Sequence, residues 1–165
     1  LSCLIYEPQS DDETASIVRE IIGNDRRVSS WGRERIPFPK LENILEERGI
    51  EIVAPSDPSV RIGLTGADAA LAATGSVVVS SGEETQRGTS LLPAVHVVFV
   101  AQERILAHME DWLERQRESN LDIFRRSSNI VIISGASRTA DIAMELILGM
   151  HGPKELHIII LPPQN

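Results

Sequence analysis

From residue 76 onward the chain carries four segments that are apolar at nearly every position: "SVVV", "AVHVVFVA", "NIVII" and "ELHIIIL". A half-exposed strand alternates apolar and polar residues, because successive side chains point to opposite faces. A strand that is apolar throughout has both faces covered, as in a mainly parallel sheet flanked by helices. Between and before these segments the apolar period becomes helical. "SDDETASIVREIIGN" opens with Ser10 and Glu13 at capping-box spacing, holds Asp11, Asp12 and Glu13 in its first turn and stops at Gly23–Asn24. "PKLENILEERG" predicts a second amphipathic helix ended by Gly49. The spacing predicts a third over Gln102–Arg117, with Ile105, Met109, Trp112 and Leu113 on one face, and a last over residues 139–148. "VRIGLTGADAALAATGSVVVSS" reads as strand, short helix and strand, while "SCLIYEP" and "IEIVAP" read as short strands. Residues 25–37 read as a polar, turn-rich segment with Trp31 as a surface anchor. The expected fold class is α/β, a single domain over residues 1–165 with a mainly parallel sheet and helices on both faces.

Charge and composition exclude several functions. A net charge of −8 argues against duplex nucleic acid, which asks for a basic face. The short basic clusters Arg26–Arg27, Arg33/Arg35 and Arg125–Arg126 read as solvated loop charges. The one cysteine, Cys3, makes no internal disulfide and cannot supply the four thiolates an iron–sulfur cluster usually takes. None of the four histidines pairs with another at zinc-site spacing, so no metal is expected. His96 reads as a satisfied core residue and His108 as helix surface. No apolar run approaches the ~18 residues of a membrane span. A cytoplasmic location is expected, and because the chain begins at Leu1, part of its N-terminal segment is expected to be missing.

Four segments carry candidate chemistry. In "SGASRTAD", Gly135 permits a sharp turn, while Ser134, Ser137 and Thr139 supply hydroxyls and Arg138 a guanidinium. The helix expected to follow would add a positive dipole end, and Asp141 would sit in its first turn, four residues from Glu145. The segment can be an anion cradle or an ordinary helix cap. In "RGTSLLP", Arg87 and Ser90 precede a buried strand and can hold an anionic group or form a solvated turn. Thr74 and Gly75, ahead of "SVVV", offer a small-residue approach or simply a helix stop. In "GMHGPKE", His151 and Gly152 form the loop before the last strand. Neither a Walker loop nor G-x-G-x-x-G is present, and Ser90 lacks the G-x-S-x-G context of a serine hydrolase. Ligands of open parallel sheets sit beyond the strands' carboxyl ends, where "LTGADAALAATGS", "RGTSLLP" and "SGASRTAD" are expected to meet.

The order "ATGSVVV", "RGTSLLP", "SGASRTADI" and "HGP" over roughly residues 60–161 resembles the lactate utilization protein C family, the LUD domain, also called the YkgG family. The resemblance implies a fold of the NagB/RpiA/CoA-transferase type. It implies a non-redox component of an L-lactate utilization system that oxidises lactate to pyruvate, acting with partner proteins that carry the iron–sulfur clusters. By motif matching it marks Arg87, Ser90, Ser134, Ser137, Thr139, Asp141, His151 and Gly152 as pocket residues. Ala73 stands where many relatives have Glu, so no catalytic carboxylate is carried over there, and no catalytic residue is assigned. The alternative is a stand-alone enzyme or binding protein for a small anionic, phosphorylated or CoA-linked metabolite.

Overall fold

A computed structural model describes residues 3–140, 146–149 and 151–163. Six strands build one parallel sheet: β1 (Cys3–Tyr6), β2 (Arg27–Ser30), β3 (Glu51–Ile52), β4 (Ile62–Gly66), β7 (Val95–Ala101) and β12 (Glu155–Leu161). Their order is β1-β12-β7-β4-β2-β3, and every neighbouring pair runs parallel. A second sheet, in the order β8-β5-β6-β9, comprises β5 (Ala69–Leu71), β6 (Ser76–Ser81), β8 (Ile105–Leu106) and β9 (Asn129–Ile133). In it β6 runs antiparallel to both β5 and β9.

The parallel register sorts side chains onto two faces. Val28, Leu64, Val97 and Phe99 face one side, together with α1 (Asp11–Ile22) and α2 (Lys40–Glu47), whose Val18, Ile22, Leu41 and Ile44 join the same core. The opposite face presents Ser29, Gly63, Thr65 and His96. There α3 (Gly88–Leu91) lies against it, with Ser29 Oγ and Thr89 Oγ1 hydrogen-bonded at 3.0 Å. Val77 and Val79 of β6 join that main core, while Val78 on the other side of the strand joins Trp112 and Ile123. These two belong to α4 (Met109–Glu118) and α5 (Asp122–Arg126). The α/β class and the largely parallel sheet are therefore as expected, with helices on both faces.

Local expectations fare unevenly. Ser10 caps α1 through Glu13 N at 3.2 Å, and Glu13 reaches back to Gln9 N at 2.8 Å. Residues 25–37 are not a solvated turn: they contain β2, and Trp31 is buried at 6% exposure, its Nε1 donating to Gln86 O. The short helix expected before "SVVV" is β5, held between β6 and β8. The helix expected from Gln102 begins only at Met109, because Ile105–Leu106 pair with β5 and the His108/Asp111 capping box starts the helix afresh. His108 is exposed there, as the N-cap. The helix expected over 139–148 is replaced at both ends by antiparallel strands, β10 (Arg138–Ala140) and β11 (Leu146–Leu148). Its middle, with Asp141 and Glu145, lies outside the described residues.

Gly63 is where α3 meets the sheet: a Cβ there would lie 1.9 Å from Thr89 O. Gly63→Ala is expected to destabilise the fold by about 1–3 kcal/mol through overpacking. Denaturant unfolding followed by the fluorescence of Trp31 and Trp112 measures it, and an unchanged midpoint would contradict this packing.

Candidate functional site

A cleft of about 350 Å³ lies on the α3 side of the parallel sheet. It is lined by Arg87 and Ser90 from α3 and the residue before it, by Ser134–Arg138 after β9, and by His151–Pro153 before β12. Seven of the eleven candidates meet here: Arg87, Ser90, Ser134, Gly135, Ser137, His151 and Gly152. Thr74 and Gly75 do not line it; Gly75 makes the β5–β6 turn at φ +61°. Thr74 is nonetheless tied to the cleft, since Ser76 Oγ donates to Thr74 Oγ1 at 2.8 Å and bonds Ser134 Oγ at 2.7 Å. Thr139 has its backbone in β10, and Asp141 lies outside the described residues.

The position of the cleft departs from expectation. Arg87–Pro93 and His151–Pro153 precede β7 and β12, so they stand at the amino ends of these strands rather than beyond the carboxyl ends. The helix N-terminus expected to cradle an anion after Ser137 is absent, because Arg138–Ala140 is a strand. Donors to a ligand would then come from side chains and irregular backbone. Gly135, at φ +134°, makes the turn after β9 that an L side chain resists. Ser137 N donates to Pro153 O at 2.8 Å and Gly149 N to Ser137 O at 3.0 Å, which fastens "SGAS" to "HGP".

The electrostatics of the lining are one-sided. It contains Arg87 and Arg138 and, among the described residues, no Asp or Glu. The Arg87 side chain is exposed and has no ion pair or hydrogen bond to the described residues. In a chain of net charge −8, such a lining suits an anion. Leu91, Val131, Ile133 and Leu156 add apolar walls. The volume falls in the range of about 300–1,000 Å³ usual for small-molecule sites.

Sequence reasoning missed His96 as part of this cleft. Its imidazole is fully buried in the lining, with Nε2 bonded to Thr65 Oγ1 at 2.8 Å, but Nδ1 has no hydrogen-bond partner among the described residues. The satisfied core histidine is thus only half satisfied; the available signal was a single polar ring in the apolar run "AVHVVFVA". Burial pushes its pKa down from 6.5 to about 3, so the ring is neutral near pH 7 and offers a hydrogen-bonding nitrogen rather than a poised proton carrier. Among the described residues, no three His, Cys, Asp or Glu side chains are grouped to hold a metal ion. Nor is any helix among them long and apolar enough to cross a membrane.

These features define an α/β protein with a cation-bearing cleft against the face of its parallel sheet. The LUD domain matches residues 56–161, and the chain belongs to that family. Lactate utilization protein C of Exiguobacterium sp. is 28% identical over 144 residues, which cover 87% of this chain and 61% of that protein. Lactate utilization protein C of Halalkalibacterium halodurans is 30% identical over 78% of this chain and 59% of its own length. In Bacillus subtilis the protein of the same name is 30% identical over 81% and 54%. The chain thus spans about three fifths of the length of the curated relatives it matches. The crystal structure of a DUF162 family protein from Deinococcus radiodurans superposes with a TM-score of 0.64 at 17% identity, covering 96% of this chain and 87% of that one. The kinship extends to proteins named for lactate utilization.

His96 makes a testable pH dependence. On acidification the unfolded chain takes up a proton near pH 6.5, whereas the folded ring resists until about pH 3. Stability from this group is therefore full above pH 6.5 and declines by up to about 1.4 kcal/mol per pH unit as pH falls through that window. His96→Gln, which cannot protonate, is expected to lose less over the same window. Denaturant midpoints measured across it for both proteins decide the matter, and equal losses would refute the buried, neutral ring.

Proposed function

We propose that this chain is the non-redox, ligand-holding part of a lactate utilization system, and that its cleft binds a small organic anion. The observation that carries this reading is the convergence of "RGTSLLP", "SGAS" and "HGP", distant in sequence, on one lining with arginines and no described carboxylate. The family's relatives supply the metabolic setting through their names. Arg87 takes the ligand's acidic group, with Ser90, Ser137 and His151 as neighbouring polar contacts. The apolar walls hold the ligand's carbon skeleton, and Ser134 is braced through Ser76 and Thr74.

Electron transfer would belong to partner proteins carrying iron–sulfur clusters. The single cysteine favours this division, because one thiolate cannot hold such a cluster. The assembly would work in the cytoplasm. A stand-alone protein for a phosphorylated or CoA-linked metabolite is the second reading, favoured by a cleft roomy enough for more than a three-carbon acid.

A thermal-shift and calorimetric series with L-lactate, pyruvate, a sugar phosphate and a CoA ester tests both. A ligand at a hundredfold excess over Kd stabilises the folded state by about 2.7 kcal/mol. Arg87→Gln is expected to weaken the binding of the responding anion by about tenfold or more, as loss of a charge-assisted hydrogen bond implies, without lowering stability. Response to L-lactate or pyruvate favours the first reading, and response only to the larger anions favours the second. Binding by none of the four would overturn both. In a host without a redundant pathway, the same substitution in the chromosomal gene is expected to slow growth on L-lactate.

A further inference from the structure

The topology leaves a second recess that "RGTSLLP", "SGAS" and "HGP" do not line. β2 and β4 are neighbours, but from β2 the chain passes outward to β3, whereas from β4 it enters β5 and β6 of the second sheet and rejoins the parallel sheet on the inner side at β7. Connections departing in opposite directions open a crevice at the carboxyl ends of such a pair, where open parallel sheets hold ligands. A cavity of about 290 Å³ occupies that position. It lies between Trp31, the exposed Glu34 and Arg35 after β2, Asp68 after β4 and Arg104 after β7, with α4 and α5 contributing Gln116 and Arg126.

The walls are fixed in place. Trp31 N donates to Leu64 O at 3.0 Å and its indole Nε1 to Gln86 O at 3.1 Å. A Cβ on Gly66 would fall 2.0 Å from Arg35 O, so the segment after β2 lies directly on the end of β4. Within this frame the arginines differ. Arg35 pairs with Glu84 at 3.2 Å and Arg126 with Asp122 at 3.4 Å. Arg104 is half-buried and donates through Nη1 to Ala67 O at 2.6 Å, but no carboxylate among the described residues reaches it at ion-pair distance. Asp68 instead accepts from Ser80 N at 2.7 Å. The half-buried Gln116 amide makes no side-chain hydrogen bond to the described residues. A half-buried guanidinium without a counter-ion is costly unless an anion or water completes it.

We propose that this crevice is a second anion site, separate from the cleft, in which Arg104 and Gln116 hold a carboxylate or phosphate group. The guanidinium supplies charge and two-pronged geometry, and the neutral amide adds a donor; of the two carboxylates in the lining, Asp68 is engaged by Ser80 N and Glu34 is exposed. The assignment stands on the crevice itself and does not depend on the function proposed for the cleft.

Inorganic phosphate and acetate, titrated separately and followed by amide resonances in a ¹⁵N–¹H spectrum, test it. The expected result is saturable movement of the Ala67, Asp68 and Ser80 amides with at least one ion. Arg104→Gln should weaken that response by about tenfold or more, as loss of a hydrogen bond to a charged group implies. Gln116→Glu, which adds a negative charge to the same lining, should weaken it comparably and serves if Arg104→Gln fails to fold. Both should leave any response of the Ser137 and His151 amides unaltered. Response to phosphate alone assigns a phosphoryl ligand, and response to acetate alone a carboxylate. Silent crevice amides, or a response that survives Gln116→Glu and a folded Arg104→Gln unchanged, would overturn the site. Movement confined to the cleft amides would overturn it while leaving the cleft's anion reading intact.

Discussion

All seven residues of β7 are buried, and the strand is bonded to β4 on one side and β12 on the other. Such a strand is stable only if both of its faces are covered, since each large aliphatic side chain taken out of water contributes about 1.5–3 kcal/mol. The rest of the structure meets that requirement in two different ways. On one face α1, α2 and Phe38 close over Val97 and Phe99, with the Phe38 and Phe99 rings stacked at 5.8 Å. On the other, α3 and the β6 side of the second sheet close over Val98, while His96 interrupts the apolar surface. The cleft occupies that second face, so the candidate site is a by-product of how β7 is covered.

Two glycines on β4 divide the molecule's recesses. Gly63, at the amino-terminal half of the strand, lets α3 approach with backbone against backbone, and α3 then carries Ser90 beside the cleft. Gly66, at the carboxyl end, admits Arg35 O in the same manner and forms a wall of the Arg104 crevice. Neither approach tolerates a Cβ, because the atom met is a backbone oxygen with no rotamer to change.

Much of this was legible in the sequence, within physical limits. Uninterrupted apolar runs marked β6, β7, β9 and β12, and full coverage was the right conclusion for β6 and β7. The runs report coverage rather than direction, and β6 and β9 prove antiparallel. "ADAALAA" has high helix propensity, but pairing with β6 and β8 outweighs a few tenths of a kcal/mol per residue. Gln102–Arg117 has helical period across a stretch whose first part is claimed by β5, a partner some thirty-five residues away. Trp31 sits among polar neighbours, yet the area of an indole is worth burying when a carbonyl such as Gln86 O satisfies its Nε1.

The candidate residues come together, but away from the carboxyl ends where they were expected. Seven gathered on one lining because the motif segments flank strands that are neighbours or face one another across the core. The misplacement to the carboxyl ends has a simple cause. The rule for open sheets concerns segments that follow parallel strands, whereas "RGTSLLP" and "HGP" precede β7 and β12. "SGAS" does follow a strand, but β9 belongs to the other sheet, where it runs against β6. Applied to segments that do follow parallel strands, the same rule leads to Trp31–Arg35, Asp68 and Arg104. Of the three segments expected at the carboxyl ends, "LTGADAALAATGS" continues from β4 and reaches them, with Asp68 lining the same crevice as Arg104.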